Sequence, residues 1–231
     1  MYKRQHYDYT YDGVMRSHED SLQRLGMDRV DILYVHDIGR ATHGGLHAHY
    51  WEQLTRGGGF RALTQLRDEG VVGAIGLGVN EWEAVADAME VCDLDCALLA
   101  GRYTLLEQGA LSLLDHCAQR GVGIVIGGPF NSGILAGAAK FNYEDAPASI
   151  LARVEAIAAA CAQAGAPLQA AALQFPMAHP AVVSCIPGAQ SAAQLRQNAA
   201  WFAQPLPAAL WDLLVRRGLV DPRAPLPHQY L

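Results

Sequence analysis

Short apolar runs alternate with stretches of helical periodicity along almost the whole chain, and glycine or a polar cluster marks most changes from one to the other. The spacing predicts a first helix over residues 12–25, with Val14, Ser17, His18, Ser21, Leu22 and Leu25 on one face and Gly26 as its C-cap. An apolar strand over 30–35 follows and stops abruptly on His36 and Asp37. A polar loop rich in Gly and His, 40–50, leads to a helix over about 60–69 that Gly70 ends. A second strand, 71–78, closes on Val79 and Asn80 and precedes a helix over 81–91. The third strand is 96–100, running out near Arg102 and Tyr103, with its helix at 108–120 and a stop at Gly121. The fourth, 122–126, opens at Gly127-Gly128-Pro129 into a loop through Ser132 and Gly133. A long Ala-rich helix over 148–164 and a shorter one over 168–178 lead to a fifth strand, 182–186. Pro187-Gly188 closes that strand and a helix over 192–202 stands behind it.

Strands that read as unbroken apolar runs, each followed by a helix, predict a parallel sheet covered on both faces. A doubly wound sheet and part of a (β/α)8 barrel both satisfy that pattern. No GxGxxG follows any strand, and glycines at strand ends favour the barrel. A closed barrel takes about 250 residues or slightly fewer, whereas five strands are countable in these 231 residues and the chain opens in a helix. The expectation is therefore a single α/β domain over 1–231, an incomplete (β/α)8 barrel with about five of the eight βα units. Residues 1–10 are expected to be poorly packed, since no element precedes them to pair with.

Composition narrows the function classes. Hydrophobic residues make up 51% of the chain, so core formation is not limiting, and the formal charge is −6 with 17 scattered Lys and Arg. That leaves no basic footprint for nucleic acid or an anionic membrane surface. No apolar stretch approaches the roughly 18 residues of a spanning helix, and Met1-Tyr2-Lys3-Arg4 leads into polar sequence. A soluble, cytoplasmic protein is expected. Cys92, Cys96, Cys117, Cys161 and Cys185 form no CxxC pair and mostly sit in apolar runs, as small buried thiols do.

Chemistry in parallel α/β folds gathers at the carboxyl ends of strands, which singles out His36, Asp37, Asn80, Arg102 and Tyr103. Each has a plainer reading: a buried His bonded to a loop, with Asp37 holding it or capping the loop; Asn80 as a helix N-cap; Arg102 in a salt bridge; Tyr103 as a packed ring. The amide of Asn80 also offers the donor and the acceptor a carboxamide ligand requires. Backbone amides in the loop from Pro129 to Leu135 can face a pyrophosphate, and the segment from Pro187 to Ser191 lies at a helix N-terminus, where N–H groups and the dipole favour phosphate. His43, His47 and His49 share no helical or strand period and no Cys or carboxylate completes a metal set; a solvated loop at the mouth of the site is the expectation.

Several segments together carry a family resemblance: Tyr11-Asp12-Gly13-Val14 with Ser21-Leu22-Gln23-Arg24-Leu25-Gly26; Asp31-Ile32-Leu33-Tyr34-Val35-His36-Asp37; Gly76-Leu77-Gly78-Val79-Asn80; Gly101-Arg102-Tyr103-Thr104-Leu105-Leu106; Pro129-Phe130-Asn131-Ser132-Gly133-Ile134-Leu135; and Ile186-Pro187-Gly188-Ala189 with Asn198. In order and spacing, from about residue 9 to 222, the chain resembles the aldo/keto reductases, most of all their D-threo-aldose (L-fucose) 1-dehydrogenase branch. The resemblance implies a (β/α)8 barrel and an NAD(P)-dependent oxidoreductase that oxidises an aldose such as L-fucose or reduces a small carbonyl compound. It starts at the third helix of the barrel. His36 matches the histidine of the family's catalytic tetrad, which hydrogen-bonds the substrate oxygen. The Asp, the proton-donating Tyr and the Lys have no counterpart, and Tyr2, Tyr7, Tyr9 and Tyr11 precede a helix, not a strand end.

By the same resemblance Asp37, Arg102 and Tyr103 lie on the substrate side. Asn80 takes the nicotinamide carboxamide, and Pro129, Asn131, Ser132, Gly133, Leu135, Pro187, Gly188, Ala189, Gln190, Gln194 and Asn198 hold the rest of the cofactor. Ala100 and Gly127 stand where the family has a carboxamide-binding Gln and a stacking aromatic. Gly188 and Gln194 replace the Lys and Arg that grip a 2′-phosphate, and Arg196 falls two positions off, so NAD is favoured, with NADP as the alternative. The partners expected are a small-molecule sugar or carbonyl compound and, left open, a second copy of the chain; nucleic acid, membrane and metal are not. Little or no turnover is expected of the chain as it stands. The competing functions are a non-catalytic remnant that binds nucleotide or serves as an interaction protein, and a fragment unstable at the exposed edge strand 30–35.

Overall fold

The computed structural model describes residues 6–142 and 144–227. Contacts divide the chain into two compact units, 1–98 and 99–231. The first holds α1 (Tyr11–Leu25), β1 (Ile32–His36), α2 (Arg40–His43), α3 (His47–Leu54), α4 (Gly59–Asp68), β2 (Ala74–Val79) and α5 (Trp82–Met89). The boundary falls inside β3 (Cys96–Ala100). The second holds α6 (Leu111–Arg120), β4 (Gly123–Gly127), a small hairpin of β5 (Lys140–Phe141) and β6 (Glu144–Asp145), α7 (Ala148–Gln163), α8 (Leu168–Gln174), β7 (Val182–Ile186), α9 (Ala192–Ala203) and α10 (Ala208–Arg216).

In the first unit β1 runs parallel to β2, with Ile32 opposite Ala74 and His36 opposite Gly78, and β2 neighbours β3. In the second β3 neighbours β4, and β4 runs parallel to β7 with Gly127 opposite Ile186. Apart from the hairpin, every strand thus pairs with the next in sequence. A doubly wound sheet reverses its order at a switch point; this order does not reverse, which is the winding of a barrel sheet.

Local chemistry explains most boundaries. Thr10 caps α1, its Oγ1 accepting from the Gly13 N–H at 3.2 Å, and Gly26 ends it at φ 65°, a left-handed conformation that costs glycine little. The expected loop over 40–50 is instead largely helical. Gly39 cannot cap α2 with a side chain, and Glu81 does so from across the fold, its Oε2 accepting from the Ala41 N–H at 2.9 Å. Such a cap is invisible locally because it comes from forty residues away. His47 is buried and His43 half-buried while His49 stays exposed, so the expected solvated loop holds for His49 and not for His47. The hairpin and α10 were not anticipated; α10 buries Leu210, Trp211 and Leu214.

The expectation of a loose segment over 1–10 fails where it can be read. Tyr9 is 7% exposed, and its hydroxyl donates to the His36 carbonyl at 2.8 Å. Tyr7, Tyr9, His43 and Tyr50 form one ring cluster, with His43 4.7 Å from Tyr7 and 4.3 Å from Tyr50 between centroids. Tyr2 lies outside the described residues.

The core of the second unit closes around Tyr103, Phe175, Trp211 and His179. Tyr103 is fully buried, 5.4 Å from Phe175 and edge-on to His179 at 5.5 Å. His179 Nδ1 accepts from the Ala181 N–H at 3.2 Å, and Nε2 lies 3.3 Å from Asp115 Oδ1. Burial holds the imidazole below its ordinary value of 6.5, against a weaker upward pull from Asp115. The unfolded chain therefore binds the proton first, and stability is lost as pH falls from above 6.5 through the folded value. Thermal melts between pH 7.5 and 5.5 should show the midpoint dropping on acidification, and His179→Gln should flatten that slope.

All five cysteines are free thiols. Burial pushes Cys117 and Cys161 up to about 11 and Cys185 to about 12, which suits packing and not nucleophilic attack. Among the described residues no single helix is long and apolar enough to cross a membrane.

Candidate functional site

β1 ends by presenting a polar triplet in the first unit. Asp37 takes φ 50° immediately after the strand, while its N–H still donates to the Gly78 carbonyl at 2.9 Å. That turn brings Asp37 Oδ2 within 3.3 Å of His36 Nε2, and Asn80 Nδ2 donates to Asp37 Oδ1 at 3.4 Å. Register accounts for the meeting, since His36 lies opposite Gly78, two residues before Asn80. The His36 side chain is 66% exposed, so the plain reading of a buried histidine does not hold. Asn80 is not the N-cap of α5 either; Glu81 occupies that position and makes no side-chain cap bond. Nε2 is the ring atom turned to Asp37.

Tyr9 supports this corner from behind. Its hydroxyl bridges the His36 carbonyl, the Asp37 carbonyl at 3.4 Å and His43 Nε2 at 3.0 Å. Burial raises the phenol above its ordinary value, with Tyr7, Asp37 and Tyr50 adding to the rise, and burial lowers His43. Both rings are thus held neutral, as a hydrogen-bonded strut requires.

The second unit carries a cavity of about 840 Å³ past the carboxyl ends of β4 and β7. Gly128, Pro129, Phe130, Ser132 and Gly133 form one wall, and Gly188, Ala189, Gln190, Gln194, Asn198 and Trp201 the other. None of the described lining residues is charged. Asn131, Ser132 and Gly133 adopt φ of 47°, 57° and 92° in succession. Left-handed backbone costs an L residue about 1–2 kcal/mol, so Asn131 and Ser132 need compensation and Gly133 does not. At the other wall α9 caps itself: Ser191 Oγ accepts from the Gln194 N–H at 3.2 Å, and Gln194 Oε1 from the Gln190 N–H at 2.6 Å. Asn198 donates to the Gly188 carbonyl at 3.4 Å. The sequence-predicted ligands Gln194 and Asn198 therefore shape the cavity while lining it.

Other predicted residues point elsewhere. Tyr103 is packed in the core and is not presented to substrate. Leu135 is fully buried beneath its loop. Asn131 faces inward, Pro187 flanks the cavity, and Arg102 lies 3.4 Å from Glu107 Oε2 in an ion pair. Sequence reasoning missed Phe130 and Trp201, whose rings meet edge-on at 6.4 Å; Trp201 follows Asn198 by three residues and so shares its helix face, the signal that marks it. Glu107 was missed too, and Thr104, although part of the resembling segment 101–106, was given no role.

A family model described as the aldo/keto reductase family matches residues 1–216, and the chain belongs to that family. It is 53% identical over 223 residues to the pyridoxal 4-dehydrogenase of Microbacterium luteolum and 40% identical over 223 residues to the D-threo-aldose 1-dehydrogenase of a Pseudomonas species. Each match covers 94% of this chain and 65% of the relative, so the chain spans about two thirds of the length of these relatives. It is 28% identical over 197 residues to the L-galactose dehydrogenase of Arabidopsis thaliana, covering 84% of this chain and 59% of that protein. An aldo-keto reductase from Bacillus halodurans, in its holo form, superposes with a TM-score of 0.73 at 18% identity, over 95% of this chain and 68% of the other.

Proposed function

We propose that the chain serves the NAD-dependent oxidation of a cyclic hemiacetal: an aldose such as L-fucose or another D-threo-aldose, or pyridoxal in its closed form. The observation that carries the nucleotide half is the cavity between the 128–138 loop and the start of α9. Its walls combine glycine-rich backbone, the amides of Gln190, Gln194 and Asn198, and two aromatic rings, with no cation among the described lining residues. Polar backbone and a helix N-terminus suit a diphosphate. The donor set fits NAD: a 2′-phosphate dianion would find Gly188 and Gln194 where a cation is needed, and Arg196 is exposed and outside the lining.

The substrate half rests on His36 and on the compounds in the relatives' names. Pyridoxal, D-threo-aldoses and L-galactose all carry an aldehyde that closes onto a hydroxyl of the same molecule. Oxidising the closed form removes a hydride from carbon and a proton from the hydroxyl and leaves a lactone. The nicotinamide, when bound, supplies the hydride acceptor. His36 would hold the reacting oxygen, Asp37 would fix the ring, and Asn80 would anchor Asp37.

Fluorescence titration tests the nucleotide half directly. NADH is expected to bind at least about tenfold more tightly than NADPH, since one unpaired phosphate dianion forgoes roughly 1.4 kcal/mol or more. Equal or tighter binding of NADPH overturns the NAD assignment. Failure to bind either nucleotide overturns the reading and leaves an interaction protein in its place.

A further inference from the structure

The left-handed turn at Asn131–Gly133 forms one wall of the 840 Å³ cavity, yet the Asn131 side chain takes no part in that wall. It is 3% exposed and points into the protein. Its Oδ1 accepts from Thr104 Oγ1 at 2.7 Å; its Nδ2 donates to Glu107 Oε2 at 2.8 Å and to the Gly101 carbonyl at 3.1 Å. One acceptor and both donors of the amide are used, so the side chain has a single orientation. Thr104 Oγ1 also accepts from the Leu106 and Glu107 N–H groups at 3.2 and 3.1 Å, which folds residues 104–107 into a tight turn around it. Arg153, from α7, donates to the Leu106 carbonyl at 3.1 Å, and Arg102 pairs with Glu107.

We propose that Thr104 and Glu107 are positioning residues for dinucleotide binding: together they latch Asn131 from beneath and so hold the cavity wall in its left-handed form. This rests on the reading of the cavity as a nucleotide site. The inference follows from two facts. Asparagine tolerates φ 47° better than most residues, but the serine beside it at φ 57° carries a cost that contacts of the turn must offset. The Asn131 side chain is held by Gly101, Thr104 and Glu107, all in the segment that follows the neighbouring strand β3. Half-burial of the Glu107 carboxylate, which raises it above its ordinary value, accords with an acceptor kept for Asn131 and Arg102 and away from water.

The test is NADH affinity by fluorescence at 15 °C, with circular dichroism confirming that each variant is folded. Asn131→Gly removes the latch while leaving a residue that tolerates the backbone, and is expected to weaken NADH binding by about ten- to a hundredfold, the cost of lost buried hydrogen bonds. Thr104→Val, nearly isosteric, should weaken it about tenfold, as should Glu107→Ala, whereas Glu107→Gln keeps an acceptor and should stay within about twofold. A merely structural role would lower the melting temperature and leave the NADH affinity of the folded protein unchanged; that result in Asn131→Gly and Thr104→Val overturns the latch. Equal weakening by Glu107→Gln and Glu107→Ala overturns the part given to Glu107. If the unchanged chain binds no NADH, the nucleotide reading falls and takes this inference with it.

Discussion

On the proposed reading, these 231 residues assayed with NAD⁺ and L-fucose or pyridoxal are expected to form NADH about 10²–10⁴ times more slowly than a relative that places a tyrosine at the reacting oxygen, the usual contribution of a placed acid or base. On that reading His36 would orient the reacting oxygen without replacing the tyrosine that exchanges its proton. Two of the described tyrosines, Tyr103 and Tyr9, are poorly placed for the task. Tyr103 is fully buried. Tyr9 lies next to His36, but its hydroxyl is committed to the His36 and Asp37 carbonyls and to His43, and burial raises it further from working pH. Rapid NADH formation that Tyr9→Phe abolishes would show that Tyr9 takes the proton after all. Rapid formation that survives Tyr9→Phe and stops with His36→Ala would assign the proton transfer to His36 itself.

Gly76→Ala is expected to be strongly damaging for a single added methyl, destabilising the fold by about 3 kcal/mol or more. A Cβ at Gly76 would meet the Cys96 carbonyl oxygen and carbon as well as its sulfur. Two of those atoms are backbone of the adjacent strand β3, so β2 and β3 must part for the methyl to fit. Gly78, two residues on, provides the control: its Cβ would stand 3.5 Å from Tyr34 Cβ, an ordinary contact, and Gly78→Ala should be neutral or slightly stabilising because alanine loses less backbone entropy. For a chain of this size the loss at Gly76 corresponds to a fall in midpoint of about 6–12 °C. Equal melting temperatures for the two variants would mean that the strands yield more easily than their spacing implies.

The strands, the parallel winding and the polar ends were legible in the residues because each is a short-range pattern. Cys96–Ala100 and Val182–Ile186 match their apolar runs residue for residue, and the closing glycines fall where the helices stop. His36, Asp37 and Asn80 were legible for the same reason: a polar residue at the end of an apolar strand of a parallel sheet has one place to go. Tertiary structure decided what those side chains do once there. The helical state of residues 40–43 depends on Glu81, the burial of Tyr9 on His36 and His43, and the inward turn of Asn131 on Thr104 and Glu107. Each of these is a hydrogen bond between groups 24 to 40 residues apart. Local periodicity records which face of an element is apolar; it does not record which distant donor meets which acceptor, and at this site that pairing separates a residue that touches ligand from one that holds the wall.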